Sequence, residues 1–362
     1  MPEAQADKVE TESILAWLGR IFTSFGWLAA IGLLAALALA RLVDGGPTPL
    51  AFLALLVQTF AFHAGLGITV VLLAAIAMRR WKLGFVLLLG VLVTVGPLGL
   101  RSIRSVAPPI DDAQTLTVIS CNLGYDQANP NRLIAWIDEV DPDVIVLQEY
   151  GTRWAEIVRT RLRDRYPHMV EEPRPDAFGQ ATLSRMPLSQ HLRNVWPGYW
   201  DIPSIRATLE FEGLLVDVTN VHVYPPISFA WFEMQREQIW KLRLDARSRL
   251  GETDYSSRRR DVAGTILIGD FNGPWRTGQL RPLRQETLHG YEILWEAHDK
   301  ISRSRGATWG PTRRPLSLAP GIRLDHAVYG GDLEPVFSVV GPDVGSDHRP
   351  IAAGFRWRID SP

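Results

Sequence analysis

A single cysteine, Cys121, stands in 362 residues, which excludes an intramolecular disulfide framework. With no CxxC pair and no Cys/His cluster, the chain offers no structural zinc site either. A disulfide-free chain is compatible with either side of a membrane, so the redox compartment stays open. An excess of positive charge is missing as well: 38 Lys and Arg stand against 39 Asp and Glu, so the basic footprint of a protein held on nucleic acid by its phosphates is absent. No internal repeat is visible. Charge is also scarce in the first hundred residues, which are dominated by Leu, Ala, Val, Ile and Gly, whereas most charged residues, prolines and tryptophans follow Ala107. The two halves of the chain are composed for two different solvents.

Three apolar runs occupy Phe25 to Ala40, Leu50 to Met78 and Leu83 to Leu100. At 1.5 Å per residue each crosses, or nearly crosses, about 30 Å of hydrocarbon, and none keeps the polar face of a soluble amphipathic helix. The first run begins too late, and is followed by too much apolar sequence, for a cleaved signal peptide. The expectation is an N-terminal segment 1–24, a membrane domain 25–100 with three transmembrane helices, a Pro-Pro-containing linker 101–114 and a soluble domain 115–358. Cations accumulate on the cytoplasmic side of short loops. Arg79, Arg80 and Lys82, with Lys8 and Arg20, outweigh Arg101 and Arg104. This predicts a multi-pass protein of a bacterial inner or plasma membrane with its soluble domain extracytoplasmic. No feature calls for an obligate protein partner.

Beyond the linker, short β-branched or aliphatic runs bounded by turn residues predict strands at Leu116 to Ser120, Asp143 to Leu147, Ala181 to Leu183, Arg206 to Phe211, Leu214 to Asn220, Thr265 to Ile268 and His326 to Tyr329. Helices are predicted over Pro130 to Val140, Trp154 to Arg165 and Phe229 to Leu250. The triplet Arg258, Arg259, Arg260 reads as a solvated loop.

Five segments place polar residues directly after an apolar run: Ser-Cys-Asn-Leu (Asn122), Val-Leu-Gln-Glu-Tyr (Gln148, Glu149), Asn-Val-His-Val (Asn220, His222), Ile-Gly-Asp-Phe-Asn (Asp270, Asn272) and Gly-Ser-Asp-His-Arg-Pro (Asp347, His348). A sixth, Arg-Leu-Asp-His, supplies Asp325. Strand ends converge at one edge of a sheet, so residues far apart in sequence can share a cleft. Carboxylates and an amide without thiolates suit a hard cation, Mg²⁺, Mn²⁺ or Ca²⁺, which can polarise a phosphoryl oxygen, and Mg²⁺ or Mn²⁺ is the expected cofactor.

This set, in this order and spacing, resembles the endonuclease/exonuclease/phosphatase (DNase I-like) superfamily over about residues 115–358, in a membrane-anchored, bacterial-type form. The resemblance implies a four-layer α/β sandwich, two mixed β-sheets face to face with helices outside. It makes Glu149 the principal metal ligand, with Asn122 and Asp347 completing or orienting the site. Asp270 positions or deprotonates the attacking water, and Asn272 holds that water or a phosphate oxygen. His348 contacts the phosphate and is oriented by Asp325, and His222 donates to a phosphate oxygen or the leaving group. Arg206 is a plausible phosphate clamp, since a guanidinium fork matches phosphate geometry. Gln180 stands on the substrate side where many relatives carry Asn and some nucleases Glu. An amide cannot stabilise an imidazolium as a carboxylate would, which argues against a DNase-like acid role for His222.

The expected function is a membrane-anchored, metal-dependent phosphoesterase. Its partners are the bilayer and a phosphate ester, either a lipid headgroup or a small organophosphate. An extracytoplasmic nuclease is the alternative, weakened by the balanced charge. A silent binding protein is disfavoured because the metal and water residues are all present. Phe229, Trp231 and Phe232 follow His222 closely and either pack into the domain or meet the membrane or substrate.

Overall fold

The computed structural model describes residues 2–99, 115–196, 202–251, 261–284, 294–302, 304, 306–310 and 321–358. The expected linker 101–114 and the triplet 258–260 lie outside the described residues. The chain divides into two compact units, Met1–Arg101 and Ser102–Pro362.

The first unit comprises α1 (Pro2–Val43), α2 (Thr48–Ala77), α3 (Trp81–Thr94) and the short α4 (Gly96–Gly99). Two helical stretches are long and apolar enough to cross a membrane, Ala16–Val43 and Thr48–Ala77. Only 17% and 28% of their most apolar windows are buried within the unit, whereas a core helix of a soluble protein hides most of its apolar surface. The count of three is not reached. The last apolar run forms a helix of 14 residues, which spans only about 21 Å. Gly96 and Pro97 interrupt it, proline having no N–H to continue the ladder. Ala30, Ile68, Leu72, Ala75, Leu83 and Leu87 pack these helices together. A Cβ at Gly65 would lie 2.0 Å from Thr94 Oγ1, so α2 and α3 approach as closely as small residues allow. Gln58, polar in the middle run, donates to the Ala40 carbonyl at 3.2 Å.

The second unit holds two six-stranded mixed sheets. One is ordered β11 (Leu333–Val340), β12 (Ile351–Trp357), β1 (Leu116–Asn122), β2 (Val144–Gln148), β4 (Gln180–Ser184), β3 (His168–Glu172). The other is ordered β5 (Leu188–Trp196), β6 (Ile202–Phe211), β7 (Leu214–His222), β8 (Gly264–Asp270), β10 (Asp325–Gly331), β9 (Leu294–Glu296). β1 runs parallel to β2 and β7 parallel to β8, and the other pairings are antiparallel.

Alternation along each strand sorts the side chains into layers. Leu116, Val118, Val144 and Val146 of one sheet meet Val216, Val218, Ile266, Ile268 and Ala327 of the other in a central core. The opposite parity, Ile119, Cys121, Ile145 and Leu147, packs under α5 (Pro130–Val140) and α6 (Thr152–Arg161) through Leu133, Trp136, Ile137, Trp154 and Val158. On the far side, Val221, Leu267 and Val328 pack under α7 (Phe229–Arg249) through Ile239, Leu242 and Ala246. The architecture is the expected helix–sheet–sheet–helix sandwich. α5 starts where Asn129 Oδ1 accepts from the Asn131 and Arg132 N–H groups with Pro130 in the first turn, and α7 starts where Ser228 Oγ accepts from Trp231 N–H.

Candidate active site

The inward parity that builds the central core runs out, at one end of the strands, into polar residues. Continuing Leu116 and Val118 leads to Ser120 and Asn122, and Val144 and Val146 lead to Gln148. Val216 and Val218 lead to Asn220 and His222, and Ile266 and Ile268 lead to Asp270. On antiparallel β10 the same face begins with Asp325. In register, Asn122 stands opposite Gln148, and His222, Asp270 and Asp325 form one row across β7, β8 and β10. Each of these side chains is buried. Asn220 ties the sheets together: its amide donates to the Leu147 and Ala181 carbonyls, both at 3.0 Å, and accepts from Gln148 Nε2 at 2.7 Å.

Asn122 organises the first side of the slot. Gly124 N–H donates to Oδ1 at 2.9 Å, which fixes the amide orientation. Nδ2 then donates to Glu149 Oε1 and to Asp270 Oδ2, each at 3.1 Å. Glu149 is held at φ +53° and Asn272 at +49°, left-handed conformations that cost a non-glycine residue about 1–3 kcal/mol each and concentrate at functional sites. Ser346 Oγ donates to the Asn122 carbonyl at 2.8 Å and accepts from His348 N–H at 3.1 Å. These bonds pin the turn that carries exposed Asp347 and buried His348 to the end of β1. Burial holds the Glu149 carboxyl above its usual range, opposed by the Asn122 hydrogen bond and the His348 charge and assisted by the Asp347 charge.

On the second side, His348 Nδ1 donates to Asp325 Oδ2 at 2.8 Å, and its Nε2 lies 3.7 Å from Asp270 Oδ2. Burial works against the imidazolium, but Asp325 and Asp270 outweigh it and push His348 up to about 10. Burial likewise opposes the ionised Asp325, and the charge and hydrogen bond of His348 more than offset it, so this carboxyl sits below its usual range. Asp270 is raised to about 6 by burial, with the Asp325 charge adding to that and the two imidazoles opposing it. Its Oδ1 accepts from Asn272 N–H at 2.7 Å. His222 Nε2 is 4.0 Å from Asp270 Oδ2, and burial keeps this imidazole below its usual pKa. His222 Nδ1 makes no hydrogen bond among the described residues.

Asn122, Glu149, His222, Asp270, Asn272, Asp325, Asp347 and His348 are thus brought to one end of the sandwich. Arg206 is not. It pairs with Thr219 on β7, whose side chain has the parity of Val221 beneath α7, and its guanidinium bonds Asp245 of that helix, with Asp217 at 3.9 Å. Gln180 is buried at the start of β4, and its Oε1 accepts from Ile205 N–H at 3.3 Å. Its Nε2 makes no hydrogen bond among the described residues. Of the aromatics after His222, Phe232 is in the core and Phe229 is 51% exposed. Trp231 packs edge-on against Tyr224 at 5.4 Å, and Phe178, which lies 5.9 Å from His222, sits 6.4 Å from Trp231. Sequence reasoning missed Ser346, which acts through the backbone, and Thr308, whose Oγ1 accepts from the Leu324 and Asp325 N–H groups.

Two donor sets could hold a cation. Ligand atoms of Asp270, Asp325 and His348 lie within 4.8 Å of one another, and Glu149 with Asp347 offers hard carboxylate oxygens beside Asn122. A slot with hard-oxygen donors on one wall and a cationic imidazole beside a basic carboxylate on the other is equipped for displacement at phosphorus. The protein is a hydrolase acting on phosphate esters. The model of the Endonuclease/Exonuclease/phosphatase family matches residues 119–348, and the chain belongs to this family.

Solved structures agree in fold. D. rerio TDP2 complexed with a single-strand DNA product is 17% identical, with a TM-score of 0.53, covering 68% of this chain and 100% of that one. The human Nocturnin catalytic domain with bound sulfate is 17% identical, with a TM-score of 0.51, covering 69% and 97%. An endonuclease/exonuclease/phosphatase family protein from Bacteroides thetaiotaomicron is 15% identical, with a TM-score of 0.51, covering 68% and 96%. No curated protein matches the chain.

Proposed function

We propose that the protein is a membrane-anchored, divalent-metal-dependent phosphoesterase that hydrolyses a lipid headgroup or a small organophosphate at a membrane surface. The observation that carries this reading is the presence, on one chain with this site, of two membrane-length apolar helices. The near-balance of Lys and Arg against Asp and Glu also disfavours long stretches of nucleic acid as substrate. A nuclease is the second reading, supported by the single-strand DNA product bound to structurally similar D. rerio TDP2.

Glu149 and Asp347 would hold a Mg²⁺ or Mn²⁺ ion, which would supply polarisation of a phosphoryl oxygen and shielding of the leaving oxygen, while Asn122, whose Nδ2 donates to Glu149 Oε1 at 3.1 Å, would orient that carboxylate. The carboxylate pair is the better donor set for it, because in the other set His348 Nδ1 and Asp325 Oδ2 are already committed to each other at 2.8 Å. Asp270, poised at about 6, is ionised at neutral pH yet basic enough to take a proton from water. Asn272 Nδ2 donates to the Val223 carbonyl at 2.9 Å. A carbonyl can only accept, so the amide presents Oδ1, which suits a water hydrogen and not a phosphate oxygen. The His348 imidazolium stabilises the negative charge that grows on the phosphoryl oxygens, and Asp325 keeps it charged. Neutral His222 donates one N–H to a phosphate oxygen or the departing alkoxide.

The test is hydrolysis by the full chain in detergent across phospholipid vesicles, bis(para-nitrophenyl) phosphate, RNA and plasmid DNA. Activity is expected on the vesicles and the aryl diester, abolished by EDTA and restored by Mg²⁺ or Mn²⁺. Turnover in chelator would overturn the metal role, and activity confined to nucleic acid would overturn the substrate class.

A further inference from the structure

Asn272 is held in a left-handed conformation, φ +49°, in a loop that belongs to no strand or helix. Its backbone is secured from outside by side chains of three separate elements. Gln235, fully buried on α7, donates from Nε2 to the Phe271 carbonyl at 3.0 Å and to the Asn272 carbonyl at 3.1 Å. Gln279, buried in the 3₁₀ turn Gly278–Leu280, donates to the same Asn272 carbonyl at 3.4 Å. His326, on the α7-facing side of β10, bonds the Gly273 carbonyl through Nε2 at 2.9 Å. The fit is close: a Cβ at Gly273 would lie 1.8 Å from Gln279 Nε2. The other amide ends, Gln235 Oε1 and Gln279 Oε1, are buried and make no hydrogen bond among the described residues. Both side chains are therefore committed to this loop as donors.

Buried glutamines with half of their hydrogen-bonding capacity unused are costly, so the donor half is where their value lies. Releasing the Asn272 carbonyl would let the residue relax from the left-handed region, which non-glycine residues leave readily. Relaxation would rotate the side chain away from the Val223 carbonyl and from the Asp270 side of the slot.

We propose that Gln235, assisted by Gln279, is a positioning residue for hydrolysis. It touches no reacting atom, but by clamping the Asn272 carbonyl it keeps the Asn272 Oδ1 acceptor aimed where the attacking water must sit. The inference rests on the reading of Asn272 as the water-holding acceptor.

The test is a double-mutant cycle on the full chain, assayed with bis(para-nitrophenyl) phosphate and Mg²⁺, with melting followed for each variant. Gln235→Met keeps length and volume and removes the donor, together with an Oε1 that makes no hydrogen bond among the described residues. It is expected to lower kcat on the order of tenfold or more with KM little changed, as misplacing a catalytic group does. Asn272→Ala is expected to lower kcat on the order of a hundredfold. The combined variant should be no slower than Asn272→Ala alone, because residues acting through one group are not additive. Multiplying effects, or a wild-type kcat in Gln235→Met, would overturn the positioning role while leaving the Asn272 reading intact. A wild-type rate in Asn272→Ala would overturn that reading and the positioning role with it. Should Gln235→Met not fold, Gln279→Met, which breaks one longer bond, enters the same cycle, and the same outcomes support or overturn the proposal.

Discussion

Replacing Asp325 by Asn keeps the shape of the buried pair and removes its charge, so it isolates what the carboxylate does to His348. At the observed 2.8 Å separation, an effective dielectric of about 20 makes the attraction about 6 kcal/mol, or about four pKa units. Asp270, 3.7 Å from Nε2, remains. His348 should then fall from about 10 to about 6, near the ordinary imidazole value. The sign of the stability change follows. In the wild type the folded pKa is raised, so the stabilisation is present in full below about 6.5 and is lost as pH rises through about 10. In the variant that stabilisation is gone, and the melting difference should be largest at about pH 6, about 3–5 kcal/mol for a broken buried pair, and should shrink as pH rises toward about 10. Nitrogen-detected imidazole titration of the chelated protein reads the pKa directly, and melting curves at about pH 6, about pH 8 and about pH 10 read the linkage. With metal restored, the variant should lose activity as pH rises through neutrality, where the wild type keeps it. A His348 still cationic at about pH 8 in the variant would refute the claim that Asp325 sets its charge.

Two further outcomes follow from where side chains lie. Arg206→Ala should destabilise the protein by about 1.5–3 kcal/mol through loss of charged hydrogen bonds, and Asp217 keeps its Arg249 partner at 2.7 Å. Its kcat/KM on the aryl diester should stay within about twofold, the range of surface-like changes, and a large loss would restore the phosphate-clamp role. Phe232→Ser should cost about 3–5 kcal/mol as a core truncation, whereas Phe229→Ser should melt within about 0.5 kcal/mol of wild type and lose activity on phospholipid vesicles alone. Equal losses on vesicles and on the aryl diester would remove the membrane-contact role of Phe229.

The parts of this molecule that sequence makes legible are those in which a side chain's chemistry and its parity along a strand agree. Val216, Val218, Asn220 and His222 alternate inward, so an apolar face announces where its polar end must point, and Ile266, Ile268 and Asp270 repeat the pattern. Strands without that contrast are not legible. β12 is rich in Ala and Gly, β11 carries Pro335, and edge strand β3 has no fully buried residue. Arg206 misleads for the same reason in reverse. Its type suits phosphate, but the register that sets it against Thr219 and under α7 depends on pairing that no local pattern encodes. The last apolar run misleads through composition, because its apolar residues continue past Gly96 and Pro97 while α3 ends at Thr94. Gln235 and Gln279 mark a different boundary. A residue that meets substrate must carry the right functional group, and a motif can record it. A residue that holds a backbone carbonyl in place needs only a donor at the right point in space, which α7 supplies from 37 residues away and the turn after β8 from seven. Such residues become visible only when the left-handed backbone they hold is itself observed.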